Sequence, residues 1–193
     1  YITKSRVNAK RLFWKILKTM NEVYGLGGLV FEAELCIRLA NGSEIYLSGC
    51  VHEAEIENFR GMPIGIVVLD EAQSFPNFIS TLIDEVLAPA LMDFDGQLDL
   101  VGTPGPVPIG FFHDCCMSPE WAHFTLSVFD NPWILKKSGK TPEQLLAVEL
   151  KRRGVTKDDP TIQREWFGKW AVDINALVFR FDLERNGKVA PKC

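Results

Sequence analysis

The stretch that most constrains this chain runs from Ile64 to Leu69. It is an almost unbroken run of branched aliphatic residues, and it stops at two adjacent acids, Asp70 and Glu71. A short apolar run of this kind predicts a central strand buried on both faces, the situation of a parallel sheet covered by helices. Two neighbouring carboxylates at the end of such a strand repel each other and lose hydration, so something must offset them. A nucleotide site uses both. The first acid holds Mg²⁺ where the ion bridges the β and γ phosphates, and the second orients and deprotonates the attacking water.

The flanking pattern predicts an α/β chain. Residues 5–24 place Ala9, Leu12, Phe13, Ile16, Met20 and Val23 at helical spacing, with Lys and Arg between them, as in an amphipathic helix lying on a sheet. Alternation over Phe31, Ala33, Leu35, Ile37 and Leu39 predicts a strand. Asn41-Gly42 then turns it into a second strand at Ile45-Tyr46-Leu47. A short helical stretch is expected near 52–58, a helix over 77–92, a strand over 97–101 and a further strand over 123–128. Thr141-Pro142-Glu143 caps a helix over 141–153, and a short aromatic helix is expected over 164–170. Strands that alternate with helices and end at polar or glycine-rich loops put ligands at the strand carboxyl ends.

The strand over 97–101 ends at Gly102-Thr103-Pro104-Gly105. A turn there leaves one hydroxyl, Thr103, at the carboxyl edge of the sheet, where it can sense a γ-phosphate. Read alone, the motif is equally a plain turn. Arg60-Gly61 lies ten residues before Asp70; it reads as a solvated loop or as the cation that phosphoryl transfer needs.

Composition excludes several classes. With 193 residues, 47% hydrophobic and 24% charged, the chain can bury a core and is not of the disordered type. A formal charge of -4 is not that of a body that coats nucleic acid. No apolar run reaches the roughly 18 residues of a membrane span, and the N-terminus lacks a signal-peptide layout, which predicts no membrane partner. The five cysteines form no C-x-x-C pair. Cys115-Cys116 near His113 reads more simply as small buried hydrophobes than as a metal site. Opening on Tyr-Ile-Thr without an initiator Met, the chain reads as a fragment cut at both ends.

Taken in order, Asn41-Gly42-Ser43 with Ile45, Arg60-Gly61, Val67 to Gln73, Val101 to Gly105, Asp130-Asn131-Pro132 and Arg164 to Trp170 resemble the ATPase domain of phage terminase large subunits over about residues 1–180. The resemblance implies a RecA-like, ASCE-type P-loop ATPase core, a mostly parallel sheet flanked by helices, with a small C-terminal lid subdomain. It divides the chain into a partial ATPase core over 1–129, a lid over 130–175 and a linker toward a nuclease domain over 176–193. It also implies ATP and Mg²⁺ as cofactors, with double-stranded DNA, the portal protein, the small terminase subunit and a homo-oligomeric ring as partners. The place of work is the host cytoplasm, with docking on the procapsid portal. Residue by residue, Asp70 would be the Walker B metal ligand, Glu71 the catalytic glutamate, Gly102-Thr103-Pro104 the coupling motif and Arg60 an arginine finger.

The sequence departs from the family in having no Gly-x-x-x-x-Gly-Lys-Ser/Thr loop. Gly25-Leu26-Gly27-Gly28 is no substitute, because no Lys-Ser/Thr follows it. Asp182 and Glu184 read as a solvated face rather than as nuclease acids. By itself the 193-residue chain is therefore expected to hydrolyse no ATP and cut no DNA. Two alternatives compete with the motor. Asp70-Glu71-Ala72-Gln73 spells the box of a DEAQ-type nucleic-acid helicase, although Gly-Thr-Pro stands where such helicases carry Ser-Ala-Thr. The other alternative is a non-catalytic relic that keeps the acids as a binding module.

Overall fold

The computed structural model describes residues 1–75 and 77–177. Asp182 and Glu184, the expected nuclease linker beyond 177 and Cys193 lie outside them. The chain divides into two compact units, Tyr1–Gly102 with Gly110–Cys115, and Thr103–Ile109 with Cys116–Cys193.

The first unit is α/β and carries two sheets. In the larger one, strands β1 (Ile2–Thr3), β5 (Ser48–Gly49), β6 (Ile66–Asp70) and β7 (Gln97–Val101) lie in the order β5-β1-β6-β7, all parallel. Parallel neighbours need crossovers. Between β6 and β7 the crossover is helical, running through Ile79–Thr81, a π-helical segment Leu82–Leu87 and Ala88–Met92. Leu82, Ile83, Val86, Leu87 and Leu91 from this run pack with Val67 and Leu69 of β6 into the main core, closed further by Ile56 and Phe59 of the 3-10 helix Glu53–Phe59. The expectation that β6 is buried on both faces needs correcting. Val67 and Leu69 are buried, but Ile66 on the alternate face is 66% exposed, because the helices of this unit cover one face of that strand.

The smaller sheet is antiparallel, with strands β2 (Leu29–Phe31), β3 (Cys36–Arg38) and β4 (Glu44–Tyr46). Asn41-Gly42 makes the expected turn between β3 and β4, with Gly42 at φ 84 and the Asn41 Oδ1 accepting from the Ser43 N–H at 3.0 Å. The alternating run over 31–39 is not one strand. The chain reverses within it, with Leu35 in the left-handed region at φ 57, so the run is shared between two strands of a second hairpin.

The first helix runs through Arg6–Ala9, a π-helical segment Lys10–Trp14 and Lys15–Val23. Its buried residues are Ala9 and Trp14, which join Leu35, Ile37 and Leu47 in a second core cluster, while Leu12, Ile16, Met20 and Val23 are exposed. Of the expected apolar face only Ala9 is buried, and Trp14 is buried in place of the rest. A π-helical turn bonds i to i+5 and takes more residues than an α-helical turn, so spacing by 3.6 assigns the wrong side beyond it. The Trp14 ring N–H, donating to Glu32 Oε2 at 2.7 Å, fixes the face that is buried.

The second unit holds the helices Trp133–Ser138, Pro142–Arg153 and Pro160–Phe167. Thr141 and Gln144 form a reciprocal capping box at the start of the second, and Gly154 ends it in the left-handed conformation. The aromatic helix begins earlier than its sequence pattern suggests. Asp159 accepts from the N–H groups of Thr161 and Ile162, Pro160 takes the first position, and Gly168 stops the helix after Phe167. Leu146 and Ile162 are buried, and the Phe129 and Phe167 rings stack at 5.4 Å. The expected strand over 123–128 does not form. Phe124 and Leu126 are exposed, none of the described strands pairs with them, and a 3-10 turn Val128–Asp130 follows. Alternation without a partner edge does not make a strand. Among the described residues no helix is long and apolar enough to cross a membrane.

Candidate functional site

Strand alternation builds the corner at the end of β6. With Val67 and Leu69 turned into the core, Val68 and Asp70 face the other way. The register pairs Asp70 with Val101, so β6 and β7 finish side by side at their carboxyl ends, as the sequence predicts. Asp70 is half-buried there, and Glu71, the first residue beyond the strand, is exposed.

Glu71 has φ 58 and ψ 41, one of three non-glycine residues in the left-handed region among those described. That conformation costs a residue with a Cβ about 1 to 3 kcal/mol and persists where surrounding structure enforces it, which is characteristic of working sites. It ends the strand abruptly and lets the 3-10 turn Ala72–Ser74 begin at once, with Ala72 buried in the core. The Gln73 side chain folds back over this turn, and its Nε2 donates to Glu71 Oε2 at 2.6 Å.

On the other side of β6, Ile2 of β1 pairs in parallel with Leu69, which puts Tyr1 level with Val68, on the strand face that Asp70 shares. The Tyr1 hydroxyl donates to Asp70 Oδ2. Burial, followed by this hydrogen bond and the charges of Asp70 and Glu71, pushes the phenol well above its ordinary range, so it stays a donor. Sequence reasoning missed Tyr1, because nothing near it in the chain reveals that β1 will lie against β6.

Gly102 follows β7, and a Cβ there would overlap Gln73 Oε1. The structure thus brings Asp70, Glu71 and Gly102 to one corner, tied by Gln73. Thr103 opens the second unit. Arg60 has other partners: its Nε and Nη2 donate to the Glu57 carboxylate at 2.7 and 3.0 Å, and its Nη1 to the Glu85 carbonyl at 3.4 Å. The Glu57 hydrogen bond raises the Arg60 pKa and lowers that of Glu57.

Asp70, with Glu71 beside it, fits Mg²⁺ by donor chemistry. Its carboxylate is a hard oxygen ligand, and this ion commonly takes one or two carboxylates beside phosphate oxygens and water. Among the described residues no group of three or more His, Cys, Asp or Glu is placed to hold an ion by itself. Cys115 is buried, and burial raises the Cys116 thiol; neither is in a disulfide. His113 Nδ1 lies 3.1 Å from Asp114 Oδ1.

No protein-family model matches the chain, and no curated protein matches it in sequence. Solved structures do match. The ATPase domain of the Thermus phage P74-26 large terminase aligns over 88% of this chain and 75% of that domain, with a TM-score of 0.58 and 16% identity; a point mutant of that domain gives 0.57. The large terminase of a thermophilic bacteriophage aligns over 88% of this chain and 39% of its own length, with a TM-score of 0.59 and 19% identity. The chain has the RecA-like fold of these ATPase domains.

Proposed function

We propose that this chain is part of the ATPase motor of a phage terminase large subunit, which couples ATP hydrolysis to the movement of double-stranded DNA into a capsid. The observation that carries the reading is the corner of Asp70, Glu71 and Gly102 at the joined ends of β6 and β7, in a chain with a terminase ATPase fold.

In this reading Asp70 binds Mg²⁺, which when present neutralises charge developing on the phosphates. Tyr1 holds one of the Asp70 oxygens by its hydroxyl and so fixes the orientation of the carboxylate. Glu71 takes a proton from the attacking water. The loop Gly102-Thr103-Pro104 passes the change at the nucleotide to the rest of the motor, and Thr103 supplies a hydroxyl toward the γ-phosphate. Arg60 reaches the nucleotide of a neighbouring copy in a ring. The segment 130–175 serves as the lid, and the portal protein and small terminase subunit are the partners during work at the procapsid in the host cytoplasm. The sequence carries no Gly-x-x-x-x-Gly-Lys-Ser/Thr motif, and in this reading another part of the subunit supplies the phosphate cradle.

Purified large subunit containing this chain, mixed with procapsids and linear DNA, tests the reading. DNA should become protected from nuclease only with hydrolysable ATP, and Glu71→Gln should abolish protection. Protection without ATP, or an ATP-driven strand separation without packaging, would contradict it; the second result would favour the helicase alternative.

A further inference from the structure

Gln73 does two things at once. Its Nε2 donates to Glu71 Oε2 at 2.6 Å, while its Oε1 fills the space that a Cβ at position 102 would occupy. Phe112 closes the same space, with its Cζ 3.2 Å from that Cβ position. One amide therefore spans from the acid after β6 to the glycine after β7. Glu71 is exposed and has a flexible side chain, so its carboxylate samples many positions unless something holds it. A hydrogen bond to a carboxylate is of the stronger, charge-assisted kind. Glu71 is left-handed and the 3-10 turn Ala72–Ser74 begins directly after it, with Gln73 inside that turn.

We propose that Gln73 is a positioning residue that holds the Glu71 carboxylate for proton transfer and does so only while Gly102 stays in place, so that the loop after β7 controls the base through this amide. This rests on the reading of Glu71 as the base. Glycine is required at 102 because any side chain would push the amide off Glu71. Glutamine is required at 73 because a shorter or apolar side chain cannot reach both or cannot donate.

The test has two arms. In the 193-residue chain, nuclear magnetic resonance follows the Gln73 side-chain amide. Its signals should shift on Glu71→Ala and shift again on Gly102→Ala. Gln73 signals unmoved by both substitutions would overturn the proposal whatever the chain's activity. In the intact subunit, Gln73→Met, which keeps the bulk and loses the donor, should lower kcat by about 100-fold with the KM for ATP nearly unchanged, the scale of a misplaced reacting group. Gly102→Ala should do the same, and the double variant should be no worse than either single one. A normal kcat in Gln73→Met, with Glu71→Gln dead, overturns the proposal and leaves the role of Glu71 standing. Turnover surviving in Glu71→Gln overturns the underlying reading instead. Should Gly102→Ala fail to fold, Gln73→Met alone decides the kinetic arm.

Discussion

Arg60 extends from the end of the Glu53–Phe59 turn with its guanidinium on Glu57, and both side chains are largely in water. An exposed pair of this kind is screened by water, so leaving it costs little. In the proposed motor reading, the same guanidinium leaves this weak partner for a phosphate presented by a neighbouring subunit, where it meets a stronger charge. In the motor reading Arg60→Ala should fold and bind ATP but turn over about 10³ to 10⁵ times more slowly, the worth of such a finger in related enzymes. Mixing it with Glu71→Gln, inactive by itself, distinguishes the two geometries. Activity returns partly if Arg60 works across the interface, since some sites then combine an intact glutamate with an intact arginine. It stays absent if each Arg60 serves its own site.

At the scale of elements, stability follows from caps and core contacts that can be removed singly. The Thr141 hydroxyl accepts from the Gln144 N–H at 3.3 Å, and the Gln144 side chain accepts in turn from the Thr141 N–H at 2.9 Å. Thr141→Ala should cost about 1 kcal/mol in denaturant unfolding. Leu69 is fully buried under the helical crossover, and Leu69→Ala should cost the first unit about 2 to 5 kcal/mol, more than Thr141→Ala costs the second. A Leu69→Ala loss below about 1 kcal/mol would mean that β6 is not the centre of the core. The same elements show what a sequence can announce. Helix 142–153 was readable because its signals are local: a cap, a first-turn proline and a terminal glycine. The segment 123–128 misled because alternation describes a surface that suits a strand without saying whether an edge is there to pair with.

Across the whole chain, the parallel pairing of β6 and β7 and the two acids at their end were legible, because a buried aliphatic strand ending in carboxylates has few uses. The roles of Tyr1 and Gln73 were not. Tyr1 reaches Asp70 only after β1 pairs with β6, and Gln73 meets Glu71 in a turn that follows a positive φ at Glu71, which no residue pattern predicts. The buried side of the first helix was hidden by its π-helical segment. The central claim is that this corner hydrolyses ATP, and paired measurements of nucleotide binding and turnover in the intact subunit test it most directly. Glu71→Gln should bind ATP with Mg²⁺ as the parent does and turn over nothing, because the amide keeps the shape and cannot take a proton. Asp70→Ala should lose Mg²⁺-dependent binding as well. Turnover retained in Glu71→Gln, or binding lost in it as fully as in Asp70→Ala, would contradict the account.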